Sequence, residues 1–486
     1  MTSVLSKMTS ESQSILVKNG FVLVFDSHKN AAFPKLDVLI IGQKIAKVQR
    51  DITAEPNMKI IDASGCIVSP GFIDGHRHLY QSHFRGLVAN HTHLQYCGHF
   101  LLGKLIYSTP KDFYLAQLGA ATEAIHCGVT TVLDHSHGQL SYEHARQCIR
   151  ADIDSGIRTI YCYTPKVMPV KLDPLTFPEF DSLHRKQLDE FRNFAQESPL
   201  DGARNDGRVM LGLGYDGVQK RPLQETTELF EFARKRNMQI TFHDVPTHGI
   251  GVLKFLRKHD LLSDSIVLSH CNGRSDEDLQ EARDFGVGIV CTPESEMQMT
   301  HGWPEAFRAM RGGCRTGLGV DSSIICGGDL FSAMRLCLQT QRAIDNTESL
   351  AAGKECTTLQ ATVDQVLYMA TAGGAEAIHQ ESEIGSIEVG KRADVIIVST
   401  DSPSMVGSID LAASLVLHAS PTDVATVIIN GEIVKEDGRL LKVNWTQLKD
   451  SLIISRQELE QRSKHINWDQ NTQEVIQFMH GSMQDD

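Results

Sequence analysis

The chain has 486 residues, a formal net charge of −13, 41% hydrophobic residues and 22% charged residues. This composition is that of an ordinary globular protein, and the length predicts one large domain with a smaller companion. The acidic balance disfavours a nucleic-acid or anionic-membrane partner, because such partners attract a basic face.

The sequence also disfavours a membrane or secreted protein. No apolar stretch reaches the roughly 18–20 residues that a membrane span needs, and the polar N-terminus lacks the apolar centre of a secretory signal. Eleven cysteines without close pairs are typical of free thiols in a reducing compartment. We therefore expect a cytoplasmic protein.

The two ends of the chain carry matching sets of short β-rich segments. Residues 15–65 and 385–440 both contain apolar runs separated by turn residues, and Asn430-Gly431 is a strong hairpin signal. Since chain ends often lie close together, these two segments predict one small β-sandwich domain. Residues 1–14 are expected to be a disordered tail, and residues 441–486 a helical extension.

Between these segments, residues 66–384 alternate strand-length apolar runs with longer amphipathic stretches. Repetition of this pattern about eight times is typical of parallel β/α units. It predicts an α/β fold, a TIM-like (β/α)8 barrel with its active site at the C-terminal ends of the strands. The predicted strands are Cys66–Asp74, Val129–Asp134, Arg158–Tyr163, Val209–Tyr215, Met238–His243, Ser265–His270, Val287–Thr292 and Thr316–Asp321.

Histidines and one aspartate stand where the apolar runs stop. His76 and His78 are two residues apart, so in an extended chain both side chains face the same side. Because the strand ends of a barrel converge, we expect the other strand-end residues to meet this pair. These residues are His243, His270 and Asp321. The set predicts a metal-dependent hydrolase.

Several motifs together resemble the amidohydrolase superfamily, in the branch that includes cytosine, guanine and S-adenosylhomocysteine deaminases and the triazine hydrolases. The resemblance extends over about nine tenths of the chain, from residue 15 to residue 440. The motifs are Pro70–His78, Gly128–Asp134, Phe242-His243, Leu268–Cys271, Leu318–Ser322, Gly390–Asp394 and Asn430-Gly431.

The resemblance implies a metal at the barrel mouth. Many binuclear members bridge two metals through a carboxylated lysine at the end of strand four, but here Val209–Asp216 contains no lysine. This favours one metal ion per chain. The ligands implied by the resemblance are His76, His78, His243 and Asp321. Nitrogen and carboxylate donors suit Zn²⁺, with Fe²⁺ as the alternative.

The resemblance also implies catalytic roles and an assembly state. The ion lowers the pKa of its water, Asp321 accepts the proton, and His270 stabilises the charge that develops as the water attacks. Homo-oligomers are common in the superfamily, and we expect one here with a small molecule as substrate.

Two positions depart from the pattern of this branch. Its deaminases carry His-x-x-Glu at strand five, but Pro246 stands where that Glu belongs, and proline offers no proton. After strand seven, Glu296 replaces the usual Asn, and Glu294 lies two residues before it. We predict Glu296 as a catalytic acid or base; the alternative is that these glutamates are solvated or hold the loop by salt bridges.

Several residues in the loops that follow the strands are candidates for substrate contact. Loops at this face of a barrel usually line the pocket. The candidates are Gln81, Arg85, His137, Glu294, His301 and Trp303.

The leading prediction is hydrolysis of a carbon–nitrogen bond, by deamination of a cyclic amidine or aminated heterocycle or by amide hydrolysis. The missing strand-five Glu keeps two alternatives open, a dechlorinating hydrolase and a non-hydrolytic lyase, isomerase or cyclase of secondary metabolism that uses the metal as a Lewis acid. A non-catalytic scaffold is the remaining alternative.

Overall fold

A computed structural model describes residues 14–197, 206–245 and 251–484. The predicted tail lies outside these residues except for Ser14. The strands are β1 (Ser14–Val22), β2 (Val24–Phe25), β3 (Ala31–Ala32), β4 (Lys35–Ile41), β5 (Lys44–Gln49), β6 (Lys59–Asp62), β7 (Ile67–Pro70), β8 (Phe72–Arg77), β9 (Val129–Ser136), β10 (Arg158–Tyr163), β11 (Lys171–Leu172), β12 (Leu175–Thr176), β13 (Val209–Gly214), β14 (Ile240–Asp244), β15 (Ile266–His270), β16 (Gly288–Cys291), β17 (Arg315–Leu318), β18 (Val395–Val398), β19 (Val424–Ile429), β20 (Glu432–Glu436) and β21 (Arg439–Leu440).

The helices are α1 (His93–Tyr96), α2 (Pro110–His126), α3 (Tyr142–Ser155), α4 (Phe180–Phe194), α5 (Leu223–Arg234), α6 (Val252–Lys258), α7 (Asp276–Asp284), α8 (Pro293–Gln298), α9 (Ala306–Arg311), α10 (Leu330–Ala351), α11 (Val363–Met369), α12 (Ala372–Ala377), α13 (Leu411–Leu417), α14 (Trp445–Ser463) and α15 (Trp468–Gln484). Short helical turns lie at Leu79–Phe84, Cys97–Leu101, Lys104–Tyr107, Val218–Lys220 and Pro421–Asp423.

Both chain ends contribute to one nine-stranded sheet, as the sequence predicts. The order is β21-β20-β19-β18-β7-β1-β4-β5, with β6 also paired to β1. The two ends meet where β7 runs antiparallel to β18, with Val68 opposite Ile397. Successive side chains of β1 enter different apolar clusters, Ile15 on one face and Leu16 on the other. The domain boundaries given above stay a prediction.

The first predicted barrel strand is divided between two sheets. Ile67–Pro70 forms β7 of the terminal sheet, and only Phe72–Arg77 forms the barrel strand β8. Gly71 lies between them, where a Cβ atom would come within 2.1 Å of the Thr130 side chain. The chain crosses from one sheet to the other at this glycine, and a larger residue here would collide with β9.

The barrel prediction is confirmed. Eight parallel strands lie in the order β17-β16-β15-β14-β13-β10-β9-β8. Three of the predicted ligand residues join the two ends of this sheet. The backbone N–H of His78 donates to the carbonyl of Asp321 at 2.7 Å, and the backbone N–H of Asp321 donates to the carbonyl of His76 at 2.9 Å. The barrel therefore closes at the C-terminal ends of β8 and β17.

The C-terminal helices pack on the long loop that follows β8. In α14, Glu460 pairs with the buried Lys104 at 2.7 Å, and in α15 the Asn471 amide donates to the Gly98 carbonyl at 3.0 Å. The C-terminal segment thus supports a loop at the barrel mouth. All eleven cysteines are free thiols, and no helix among the described residues is long and apolar enough to cross a membrane.

Candidate metal centre

The end of β8 places two imidazoles on one side of the barrel mouth. The whole strand is buried, and the His76 side chain is fully inaccessible. The Nε2 atoms of both His76 and His78 approach Oδ1 of Asp321, at 3.5 and 3.2 Å. The spacing of two residues in an extended chain therefore brings both rings to one carboxylate.

His243, at the end of β14, joins the same group. Its Nε2 lies 3.2 Å from Nε2 of His78, and its Nδ1 lies 3.0 Å from Oδ1 of Asp216. The other oxygen of Asp216 lies 3.2 Å from Nε2 of His135, at the end of β9. His243 thus has one nitrogen toward the histidine cluster and the other toward a carboxylate.

His270 and Asp321 complete the centre. Both have left-handed backbone conformations, with φ of 77° and 68°, which non-glycine residues rarely adopt and which are common at functional sites. Nδ1 of His270 lies 2.9 Å from the hydroxyl of Thr292 and 3.5 Å from Oε1 of the fully buried Glu296. Glu296 therefore contacts the ring nitrogen of His270 and reaches the centre through it.

The electrostatics favour neutral imidazoles beside an ionised carboxylate. Burial lowers the pKa of His76 to about 3, although the hydrogen bond with Asp321 opposes the shift. Burial likewise lowers the pKa of His243 well below its usual range. For Asp321, burial raises the pKa, but hydrogen bonds with His76 and His78 outweigh it and hold the value well below the usual range. These are the protonation states that metal ligands require.

The donor set fits a divalent metal ion. His76, His78 and His243 offer ligand atoms within 4.8 Å of one another, as do His76, His270 and Asp321. Nε2 of His76 is buried, and apart from the approach of Asp321 at 3.5 Å it has no hydrogen-bond partner among the described residues, which an ion at this point would explain. Three nitrogens and a carboxylate oxygen suit zinc or ferrous iron.

Two of the candidate substrate residues lie beside the cluster. The His137 ring is 4.2 Å from that of His78, and burial lowers the pKa of His137 well below its usual range. Gln81 is fully buried, donates to the hydroxyls of Tyr80 and Tyr96 at 3.1 and 2.8 Å, and accepts from Ser322. Gln81 therefore ties the loop after β8 to the residue that follows Asp321.

The other four candidates for substrate contact differ in their surroundings. The buried His301 ring is 5.0 Å from the His270 ring. Arg85 pairs with Glu123 at 2.8 Å, and Glu294 accepts from the backbone of Gly327 at 3.0 Å. Trp303 is 63% exposed. Substrate contact by all six residues stays a prediction, and Pro246 lies outside the described residues.

Several groups that contact Nδ1 of the histidines were not predicted from the sequence. Asp216 stands one residue after a predicted strand, so the strand-end rule that singled out His243 could have found it. Ser269, whose hydroxyl lies 2.7 Å from Nδ1 of His76, and Thr292 carry no such signal, because serine and threonine are common in any strand.

The chain is similar to proteins of one family over most of its length. Residues 67–434 match the model of the amidohydrolase family. A 5-methylthioadenosine/S-adenosylhomocysteine deaminase of Syntrophobacter fumaroxidans is 26% identical, covering 91% of this chain and 98% of that protein. A 5'-deoxyadenosine deaminase of Methanobrevibacter smithii is 25% identical, covering 93% and 99%.

Solved structures support the same fold. A zinc-bound adenosine deaminase from Xanthomonas campestris superimposes with a TM-score of 0.78 at 18% identity, covering 93% of this chain and 99% of that one. The atrazine chlorohydrolase TrzN from Arthrobacter aurescens TC1, complexed with zinc, gives a TM-score of 0.74 at 22% identity, covering 91% and 100%. With the match over residues 67–434, the chain belongs to the amidohydrolase family and is a hydrolase that acts on carbon–nitrogen bonds other than peptide bonds.

Proposed function

We propose that this enzyme deaminates an amino-substituted nitrogen heterocycle, using one zinc ion per chain. The observation that carries the proposal is the convergence of three imidazoles and one carboxylate at the barrel mouth. The ligands that we assign are His76, His78, His243 and Asp321. Ferrous iron fits the same donors.

The bound ion supplies Lewis-acid activation of water at neutral pH. Asp321 meets the two histidines through Oδ1, and we assign its Oδ2 to accept a proton from the attacking water. Because its pKa is held well below the usual range, Asp321 is ionised at neutral pH and available for this role.

His270 is the group that we assign to stabilise charge on the substrate. The Thr292 hydroxyl and Glu296 fix its ring from the Nδ1 side, and a fixed donor stabilises developing charge without reorganisation. The described side-chain contacts of Glu296 are with Thr292 and His270. We therefore propose that Glu296 positions His270 through Oε1, while its buried Oε2, which has no hydrogen-bond partner among the described residues, leaves the predicted acid–base role a prediction. A Glu296→Gln variant should lower kcat more than it changes KM.

The names of the relatives suggest the first substrates to test. These proteins deaminate 5'-deoxyadenosine, 5-methylthioadenosine or S-adenosylhomocysteine, as their names state, and they match nearly the whole chain. We propose an adenosine-type nucleoside as the substrate class. His137 and His301, which border the cluster, are the candidates that we expect to contact it.

Ammonia release from these nucleosides tests the proposal, together with metal content measured by mass spectrometry. Asp321→Asn should lose both zinc and turnover. Asp37→Asn is the matched control, because Asp37 is equally buried but accepts hydrogen bonds from the backbone of Asn19 and Ile52 in the terminal sheet. Zinc-loaded wild type that releases no ammonia from any of these nucleosides would contradict the proposal.

Displacement of chloride is the second candidate function. Pro246 favours it, because a halide leaves without a proton whereas an amine must receive one. The substrate panel therefore includes atrazine, on which a structural neighbour is named to act. Chloride release without ammonia release would favour this candidate.

A further inference from the structure

Each of the three proposed histidine ligands makes a hydrogen bond at Nδ1. A carbonyl or carboxylate at that nitrogen can only accept, so the ring proton must lie there and the other nitrogen is free to bind metal, whereas a hydroxyl can play either part. The three pairs are His76 with the hydroxyl of Ser269 at 2.7 Å, His78 with the carbonyl of His135 at 2.6 Å, and His243 with the carboxylate of Asp216 at 3.0 Å.

His243 is the ligand that a charged group holds. Both oxygens of Asp216 lie within 3.1 Å of its Nδ1, and one of them also accepts from the His243 backbone N–H at 3.2 Å. On its other side, Asp216 meets Nε2 of His135 at 3.2 Å. The carboxylate is thus fixed between two imidazoles, one from β9 and one from β14.

His135 contacts both His78 and the partner of His243. Its carbonyl oxygen lies 2.6 Å from Nδ1 of His78. Its ring contacts the Asp216 carboxylate, which in turn contacts His243. The His135 side chain is fully buried and the Asp216 side chain is only 22% exposed, so water competes little for these contacts.

We infer that Asp216, fixed by His135, is a positioning residue that keeps the proton of His243 on Nδ1 and directs its Nε2 to the metal ion. This inference rests on the proposed metal site. A carboxylate behind a histidine ligand also raises the basicity of the ligand, and loss of such a group typically costs about 10–100-fold in metal affinity.

The alternative is that Asp216 binds a second metal ion. His135, Asp216 and His243 do offer ligand atoms within 4.8 Å of one another. However, if Nε2 of His243 binds the first ion, its Nδ1 must lose its proton to bind a second. A neutral ring that donates to Asp216 needs no such loss, so the hydrogen-bonded arrangement is favoured.

Zinc titration of the metal-free full-length protein tests the inference, with affinity measured by competition with a chromogenic chelator. Wild type, Asp216→Asn, His135→Gln and the double variant are compared with Asp37→Asn, the buried control in the terminal sheet. We expect one zinc ion per chain throughout, a loss of about 10–100-fold in affinity for Asp216→Asn, and a smaller loss for His135→Gln. The double variant should lose little beyond Asp216→Asn, because His135 acts through the same carboxylate.

Several outcomes would overturn the inference. Unchanged zinc affinity in both single variants overturns it and leaves the metal site standing. Two zinc ions in wild type but one in Asp216→Asn would make Asp216 a ligand. If Asp216→Asn does not fold, an unchanged affinity in His135→Gln is sufficient to overturn it. Wild type that binds no zinc overturns the proposed function as well.

Discussion

A buried ion pair joins the barrel to the terminal sheet, and its removal should cost several kcal/mol. Arg158 opens β10 of the barrel, and Asp394 directly precedes β18 of the terminal sheet. The guanidinium donates to both carboxylate oxygens, at 2.6 and 3.0 Å, and the two side chains are 4% and 3% exposed. Asp394 also accepts from the backbone N–H of Asn430 at 2.7 Å. One carboxylate therefore satisfies three donors.

The perturbation is Asp394→Asn, which keeps the shape but removes the charge and turns an NH₂ group toward the guanidinium. Breaking a buried pair by removing one partner leaves an uncompensated buried charge and typically costs about 3–5 kcal/mol. The exposed pair Arg192–Asp189, 3.1 Å apart with side chains 35% and 72% exposed, is the control. There, Asp189→Asn should cost about 0–1 kcal/mol, because water solvates both ions.

Urea unfolding of the two single variants measures how much each loses in free energy of unfolding, provided that the slopes of the transitions agree. Adding Arg158→Met to Asp394→Asn should recover part of the loss, since it removes the stranded cation. A cost for Asp394→Asn no larger than that for Asp189→Asn would refute the reasoning. A double variant less stable than Asp394→Asn alone would refute it too.

Three further predictions concern the metal, a buried carboxyl and the C-terminal helix. A strong chelator should abolish activity and lower the thermal unfolding midpoint, and added zinc should restore both; at 100 times its Kd the ion contributes about 2.7 kcal/mol. Burial raises the pKa of Asp152 well above 3.8, so the contribution of this carboxyl to wild-type stability falls as pH rises from 3.8 through the folded-state value. Asp152→Asn, still able to accept from Gln117, should therefore gain stability relative to wild type with rising pH, and a pH-independent difference in urea unfolding would contradict this. Gly98→Ala would place a Cβ atom 2.8 Å from the carbonyl oxygen of Thr472 in α15, so it should destabilise the protein by about 1–3 kcal/mol. An unchanged thermal unfolding midpoint would show that α15 can shift to make room without cost.

Most of the fold could be predicted because its strands are apolar and regularly spaced. Arg158–Tyr163 forms a strand with the predicted bounds, and the other barrel strands differ from their predictions at the ends. The exception is the run that begins at Cys66, which the structure divides at Gly71. Apolar periodicity shows that a segment is a strand, but the sheet that it joins depends on partners far away in sequence.

The proposed ligands could be predicted for a different reason. All stand at strand ends, and the barrel brings strand ends together whatever the loops do. The loops themselves follow no such rule. Arg85, for which substrate contact stays a prediction, has its guanidinium 2.8 Å from Glu123 in α2, a partner that the sequence did not indicate. Side-chain partners of this kind depend on the path of the loop, which local sequence patterns do not specify.

An amine leaving group must receive a proton, so a residue of this chain has to carry that proton to it. Pro246 offers none, and burial keeps His137 neutral at pH 7 by lowering its pKa well below the usual range. His270 is different, because the Thr292 hydroxyl and the carboxylate of Glu296 face its Nδ1. A hydroxyl and a carboxylate at that nitrogen can exchange a proton with the ring. If ammonia leaves this site, His270 with Thr292 and Glu296 is therefore the group of residues best placed to pass on the proton that Pro246 cannot carry.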